Sequence, residues 1–232
     1  MEKIPEALAW YVAFLFSVTF HEASHAWVAK WGGDLTAYRG GQVSINPFPH
    51  IRREPLGMLL IPLISVLTFG WPFGYASTPY DPVWARHYPK RSALMSLAGP
   101  LANFSLVLLM FALIRTGLLT GFFEAPMRLS MAHVVDAKAG GYWQSAAMLI
   151  SMFFSLNLIL GFFNLIPLPP LDGSGILPLF LSHSMANYYN RFVNQPMFGL
   201  MGLFLAWRVF DPMFRPIFDF AIRLLYPDFH YS

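Results

Sequence analysis

Four stretches of this chain are apolar enough to cross a bilayer as helices, and this limits its fold more than any other feature of the sequence. They run from about Ala7 to Trp31, Ser92 to Thr116, Tyr142 to Ile166, and near Pro196 to Phe210. A spanning helix takes about 20 mostly apolar residues, because the hydrocarbon core is roughly 30 Å thick. Composition agrees: 56% of the 232 residues are hydrophobic and only 12% are charged. A soluble domain carries roughly 25% charged residues to cover its surface. Mean hydropathy is +0.49. The expectation is an integral, multi-pass membrane protein, one domain over residues 1–232 with no separate soluble part. Its core lies at about 7–184 and its C-terminal helices at about 186–226. The first apolar run follows a short charged start, as in a signal peptide, but lacks a small-residue cleavage site, so it reads as a retained helix.

The fold class expected is an all-α membrane protein: a polytopic helical bundle with a small membrane-associated β element and a re-entrant segment. Leu56 to Phe69 contains Pro62 and is followed by Gly70, Pro72 and Gly74. That pattern fits a short helix followed by extended chain. Thr36 to Ile45, with Gly40-Gly41, reads as a strand pair that Gly74 to Tyr88 joins. Thr116 to Tyr142 reads as an amphipathic surface helix. Phe214 to Leu225, with Arg215 and Arg223, reads as a separate interfacial or packing helix. Lys30, Arg39, Arg52 and Arg53 follow the first span, and Arg86, Lys90 and Arg91 precede the next. The positive-inside rule places both groups in the cytoplasm, so Leu56 to Phe69 dips in and returns on one side. The start of the Ser92 span and the ends of the first and third spans then share the cytoplasmic half.

The chain has no cysteine. Disulfides, thiolate-bound metals and thiol nucleophiles are excluded, so a metal would be held by His, Asp or Glu. The net charge of +3 is scattered, with no basic run suited to nucleic acid. Inside the first span lies His21-Glu22-Ala23-Ser24-His25. Residues four apart share a helix face, so two imidazoles can bind one zinc ion, and the intervening Glu can act as base toward a water that zinc acidifies. Ionisable groups at membrane depth are costly and default to a functional reading. A third ligand is required. Asp172, after the helix-breaking Pro167, Pro169 and Pro170, stands level with the histidine pair by the topology above. Its alternative is a capping role for a helix starting near Gly173. His50, His87, His133, His183 and His230 fall in loops or helix ends and read as solvated or hydrogen-bonded.

His21-Glu22-x-x-His25, then Gly99-Pro100-Leu101-Ala102-Asn103, then Asn164 through Leu171-Asp172-Gly173 resemble the site-2 protease family of intramembrane metalloproteases. Gly41 to Pro47 and Pro72 to Ala76 resemble its compact prokaryotic branch, which lacks PDZ and CBS domains. The resemblance covers about Ala7 to Leu225. It implies a zinc endopeptidase with one Zn2+ per chain on His21, His25 and Asp172, and Glu22 as catalytic base. It implies a transmembrane protein as substrate, cleaved in regulated intramembrane proteolysis, with no nucleotide or nucleic acid partner. The expected location is a bacterial or archaeal cell membrane, with the site toward the cytoplasm. Asn164 and Asn103 resemble family positions that bind substrate or the developing oxyanion; a helix–helix hydrogen bond is the alternative for each. Rival readings are a metal transporter using the same residues, a di-iron oxygenase, for which no His-x-x-His-His box occurs, and an inactive scaffold.

Overall fold

A computed structural model of the chain describes residues 3–193 and 195–227. In chain order the helices are α1 (Lys3–Trp31), α2 (Thr36–Arg39), α3 (Pro47–Arg53), a π-helical turn (Leu56–Leu60) running into α4 (Ile61–Phe69), α5 (Pro82–His87) and α6 (Pro89–Thr120). A two-stranded hairpin, β1 (Phe123–Glu124) and β2 (Asp136–Ala137), leads to α7 (Tyr142–Asn164). Then come α8 (Asp172–Ile176), a 3-10 turn (Leu177–Phe180), α9 (His183–Val193) and α10 (Pro196–Leu225). Four of these helices, α1, α6, α7 and α10, are long and apolar enough to span a membrane, as the sequence predicts. His230 lies outside the described residues.

α1, α6 and α7 form the centre. Apolar burial drives little association in lipid, so helices approach through small residues and paired polar groups. Ala13, Ala26 and Ala29 of α1 are fully buried. A Cβ on Gly161 of α7 would sit 2.9 Å from the Phe104 ring of α6, so glycine permits that approach. At the bundle end formed by the C-terminus of α6, Arg115 donates to the Leu225 carbonyl at 2.8 Å and so caps α10.

The segment after α3 dips and returns. Gly70, at φ 73°, ends α4 in the left-handed conformation that glycine favours. Residues 71–81 then run extended beside α1. Trp71 packs on Trp10 with ring centroids 4.5 Å apart, and the Asp81 amide donates to Asp34 at 2.8 Å. Tyr75 N–H donates to the Gly57 carbonyl at 3.1 Å, closing the returning chain on the π-helical turn. This is the expected short helix followed by extended chain.

Three expectations need correction. Thr36 to Ile45 holds a helical turn and not a strand pair: Asp34 accepts from the Thr36 amide at 2.9 Å and hydroxyl at 2.6 Å, which winds the chain at its start. The described β element lies instead in the segment expected to be a surface helix, with Phe123 opposite Ala137 and Glu124 opposite Asp136. Gly121 stops α6 with φ 79°, and buried Val134 and Val135 turn their amides to Ser151 Oγ at 3.0 and 3.1 Å. Phe214 to Leu225 is no separate helix: α10 continues through Pro212 and Pro216. His50, 1% exposed, takes the hydrogen-bonded of the two states expected for it, with its Nε2 3.0 Å from the Ser44 carbonyl.

A Cβ on Gly57 would lie 2.2 Å from the Tyr75 carbonyl oxygen, so Gly57→Val has to move backbone. We expect it to destabilise the protein by at least about 1–3 kcal/mol, the usual cost of overpacking. Thermal unfolding in detergent measures this, with Gly140→Val, which meets nothing within 4 Å, as reference.

Candidate metal centre

Three donor atoms from two distant parts of the chain converge between α1 and the start of α8. His21 Nε2 lies 3.0 Å from His25 Nε2. Asp172 Oδ2 lies 3.0 Å from the first and 3.3 Å from the second. Helix spacing brings the histidines together, since each is one turn from the other on one face of α1. Asp172 arrives because α7 stops at Asn164 and the proline-rich turn reverses the chain into α8.

The other ring nitrogens are already engaged. His21 Nδ1 is 2.6 Å from Asn103 Oδ1, and His25 Nδ1 is 2.6 Å from the Met95 carbonyl. Both partners are acceptors, so both Nδ1 atoms carry hydrogen. The two Nε2 lone pairs then face each other and a carboxylate oxygen that is buried without a hydrogen-bond partner. Such an arrangement calls for positive charge at its centre.

These donors fit a metal ion. Ligands about 2.0–2.1 Å from a tetrahedral zinc sit roughly 3.3 Å apart. The three donor separations, 3.0, 3.0 and 3.3 Å, lie close to that edge length. Gly99 of α6 adds a cradle: a Cβ there would lie 2.4 Å from His25 Nε2 and 2.5 Å from His21 Nε2. Glu22 joins the cluster, its donor atom within 4.8 Å of those of both histidines. Thr78 Oγ1, on the returning extended chain, is 2.7 Å from Glu22 Oε2 and 2.9 Å from the Glu22 carbonyl, and donates its one hydrogen to this pair. Glu22 is thereby turned toward a cavity of about 490 Å³, which its side chain lines together with Thr78, Asn164 and Asp172.

The two asparagines separate. Asn164 lines the cavity, and its Nδ2 donates to the Leu160 carbonyl at 3.0 Å. Asn103 is fully buried behind His21 and is not among the residues that line the cavity; its contacts are those of the helix–helix hydrogen-bond alternative. It is the middle of a relay across three helices. Asn103 Nδ2 donates to Asn157 Oδ1 at 2.8 Å, and Asn157 Nδ2 donates to Ser17 Oγ at 2.8 Å. Sequence reasoning passed over Asn157, although an amide inside the apolar run of α7 is itself a signal. Thr78 carries no such signal, since only the fold brings its loop to Glu22.

The model of the family described as Peptidase family M50 matches residues 9–206. YwhC of Bacillus subtilis, named a candidate zinc metalloprotease, is 34% identical over 169 residues, which are 72% of this chain and 66% of the relative. Rip2 of Mycolicibacterium smegmatis, also named a candidate zinc metalloprotease, is 29% identical over 164 residues, 71% of this chain and 54% of the relative. This chain thus spans between about half and two thirds of the curated relatives it matches. No solved structure matches it significantly.

Asn157→Leu strands the Asn103 amide and the Ser17 hydroxyl in a fully buried setting. The expected loss is about 1–3 kcal/mol, the cost of unsatisfied buried groups. Asn164→Leu removes one bond within α7 at a half-buried position and should cost less; denaturant titration in detergent compares the two.

Proposed function

This chain belongs to peptidase family M50, and from that premise we propose that it is an intramembrane zinc endopeptidase. It hydrolyses peptide bonds in or near transmembrane segments of membrane proteins, as a step of regulated intramembrane proteolysis. In this reading His21, His25 and Asp172 hold one Zn2+, and Glu22 is the catalytic base. The observation that carries it is the convergence of three donor atoms at tetrahedral spacing, with both Nδ1 atoms already committed elsewhere.

A zinc ion bound there supplies Lewis acidity and lowers the pKa of a water molecule. The residues do the rest. Asn103 and the Met95 carbonyl fix the ring orientation of the two histidines, as partners behind metal ligands generally do. Thr78 holds Glu22 Oε2, leaving Oε1 to take a proton from water in the cavity and return it to the leaving amine. Asn164 lines the cavity, and in this reading its second amide hydrogen donates to a substrate carbonyl. The cavity also takes Arg86 and Arg191 at its rim, so water and a peptide backbone can enter from the polar end of the bundle. Lys30, Arg39, Arg52, Arg53, Arg86, Lys90 and Arg91 lie in the segments around that end, which supports a site in the cytoplasmic half of a bacterial or archaeal cell membrane.

Glu22→Gln should retain about one zinc per chain while cleavage of a membrane-embedded test protein falls by about 100-fold or more, the usual contribution of a general base. Asp172→Ala should lose most of its zinc. Elemental analysis of detergent-purified protein, paired with a cleavage assay, reads both. Undiminished cleavage by Glu22→Gln, or full zinc retention by Asp172→Ala, would sink the assignment.

A further inference from the structure

Helix α10 carries an anomaly that the metal centre does not explain. Arg208, Asp211, Arg215, Asp219 and Arg223 alternate in sign along it, and all are exposed. At 3.6 residues per turn they fall within an arc of about 120°. Pro212 and Pro216 lie on or beside the same arc and are also exposed. Proline has no N–H, so the carbonyls of Arg208 and Pro212 lose their helical partners on this face.

The stripe lies at membrane depth. α10 has 30 residues, and so measures about 45 Å against a core of about 30 Å. About 20 of its residues are immersed if it stands upright. Whichever end protrudes, residues 206–215 stay inside, and these hold Arg208, Asp211, Pro212 and Arg215. Arginine can extend its head toward the interface, but aspartate is too short. Asp211 and Arg215 pair at 3.3 Å, yet their side chains remain 75% and 77% exposed. Among the described residues, Arg208, Asp219 and Arg223 make no ion pair within 4.0 Å. Charges and free carbonyls of this kind do not face lipid; they meet protein or water.

We propose that this face of α10 is a self-association surface, through which two copies of the chain pair in the membrane. The sign pattern selects that partner. Two copies inserted with one topology bring their α10 helices together in parallel, about a two-fold axis normal to the membrane. Each Arg, reaching one turn along, then meets an Asp of the other copy: Arg215 meets Asp211, and Arg223 meets Asp219. A face of alternating signs is complementary to itself, whereas recognition of a different helix would need only one sign. Polar side chains and close helix approach also satisfy the carbonyls that the prolines free.

The chain has no cysteine, so one can be placed at will. Met201 is 58% exposed and lies on the same arc of α10, while Leu108 is 69% exposed on α6. The full chain carrying Met201→Cys, reconstituted in phosphatidylcholine vesicles and oxidised, should cross-link to a dimer; Leu108→Cys should not. Adding Asp211→Arg and Asp219→Arg makes the stripe all positive and should cut the cross-link at least about tenfold. Mixing that variant with a Met201→Cys chain carrying Arg208→Asp, Arg215→Asp and Arg223→Asp should restore it, which also shows that both variants fold. A Met201→Cys chain that stays monomeric overturns the proposal and leaves the face to a different membrane helix. So does a cross-link that is undiminished in the all-positive stripe.

Discussion

In hydrocarbon nothing pairs with a polar group except the protein itself, and the centre of this bundle is arranged around that constraint. His21, Asn103, Asn157 and Ser17 form one continuous hydrogen-bonded path through α1, α6 and α7. The path uses the amides efficiently. Each asparagine offers its oxygen to one neighbour and its nitrogen to the next, so none of these contacts sets like against like. The same bonds that hold three helices together also determine which His21 nitrogen is left with a lone pair. Stability and ligand chemistry are therefore consequences of one network, and neither can change without the other.

The fold was legible where periodicity and length speak. Apolar length located α1, α6, α7 and the first part of α10, because no short-range alternative competes with it. The charged flanks, read as an orientation signal, were enough to bring Asp172 level with the histidines across more than 140 residues of sequence. Reading failed where local hydrogen bonds decide. Thr36 to Arg39 winds because Asp34 captures Thr36, a contact that strand patterning does not register. The segment before α7 becomes a hairpin because Val134 and Val135 find a hydroxyl on α7, a tertiary partner invisible along the chain.

At the site the division is similar. The spacing in α1 dictates that the two imidazoles meet, and a lone acid after three prolines is conspicuous in so apolar a sequence. Thr78 could not be found this way. It reaches Glu22 only because the re-entrant segment returns along α1 as extended chain, gaining about 3.3 Å per residue against the helix's 1.5 Å. That difference lets ten residues of loop run beside the whole lower length of a helix of twice as many. Gly57 and Gly74 make the close approach possible, since a Cβ on either would collide with the opposing backbone.

The rule that organises the centre has to hold at the periphery too. Inside, the amides of Asn103 and Asn157 find their complements within the chain. On α10, five charges and two prolines occupy one face, Arg208, Asp211, Pro212 and Arg215 at membrane depth, and among the described residues one ion pair serves them. Lipid-facing helices elsewhere in this protein follow the rule simply: the exposed side of α6 shows Leu101, Leu108, Leu109 and Leu113. α10 itself shows Leu200, Met201 and Phe204 over its first two turns before the charges begin. The change of character within one helix marks where this face stops being suited to lipid alone and requires protein or water. Alternation of sign narrows the choice further, because each Arg can reach one turn along to an Asp of an identical helix at the same height, and a second copy is the one partner certain to carry that pattern at the right depth.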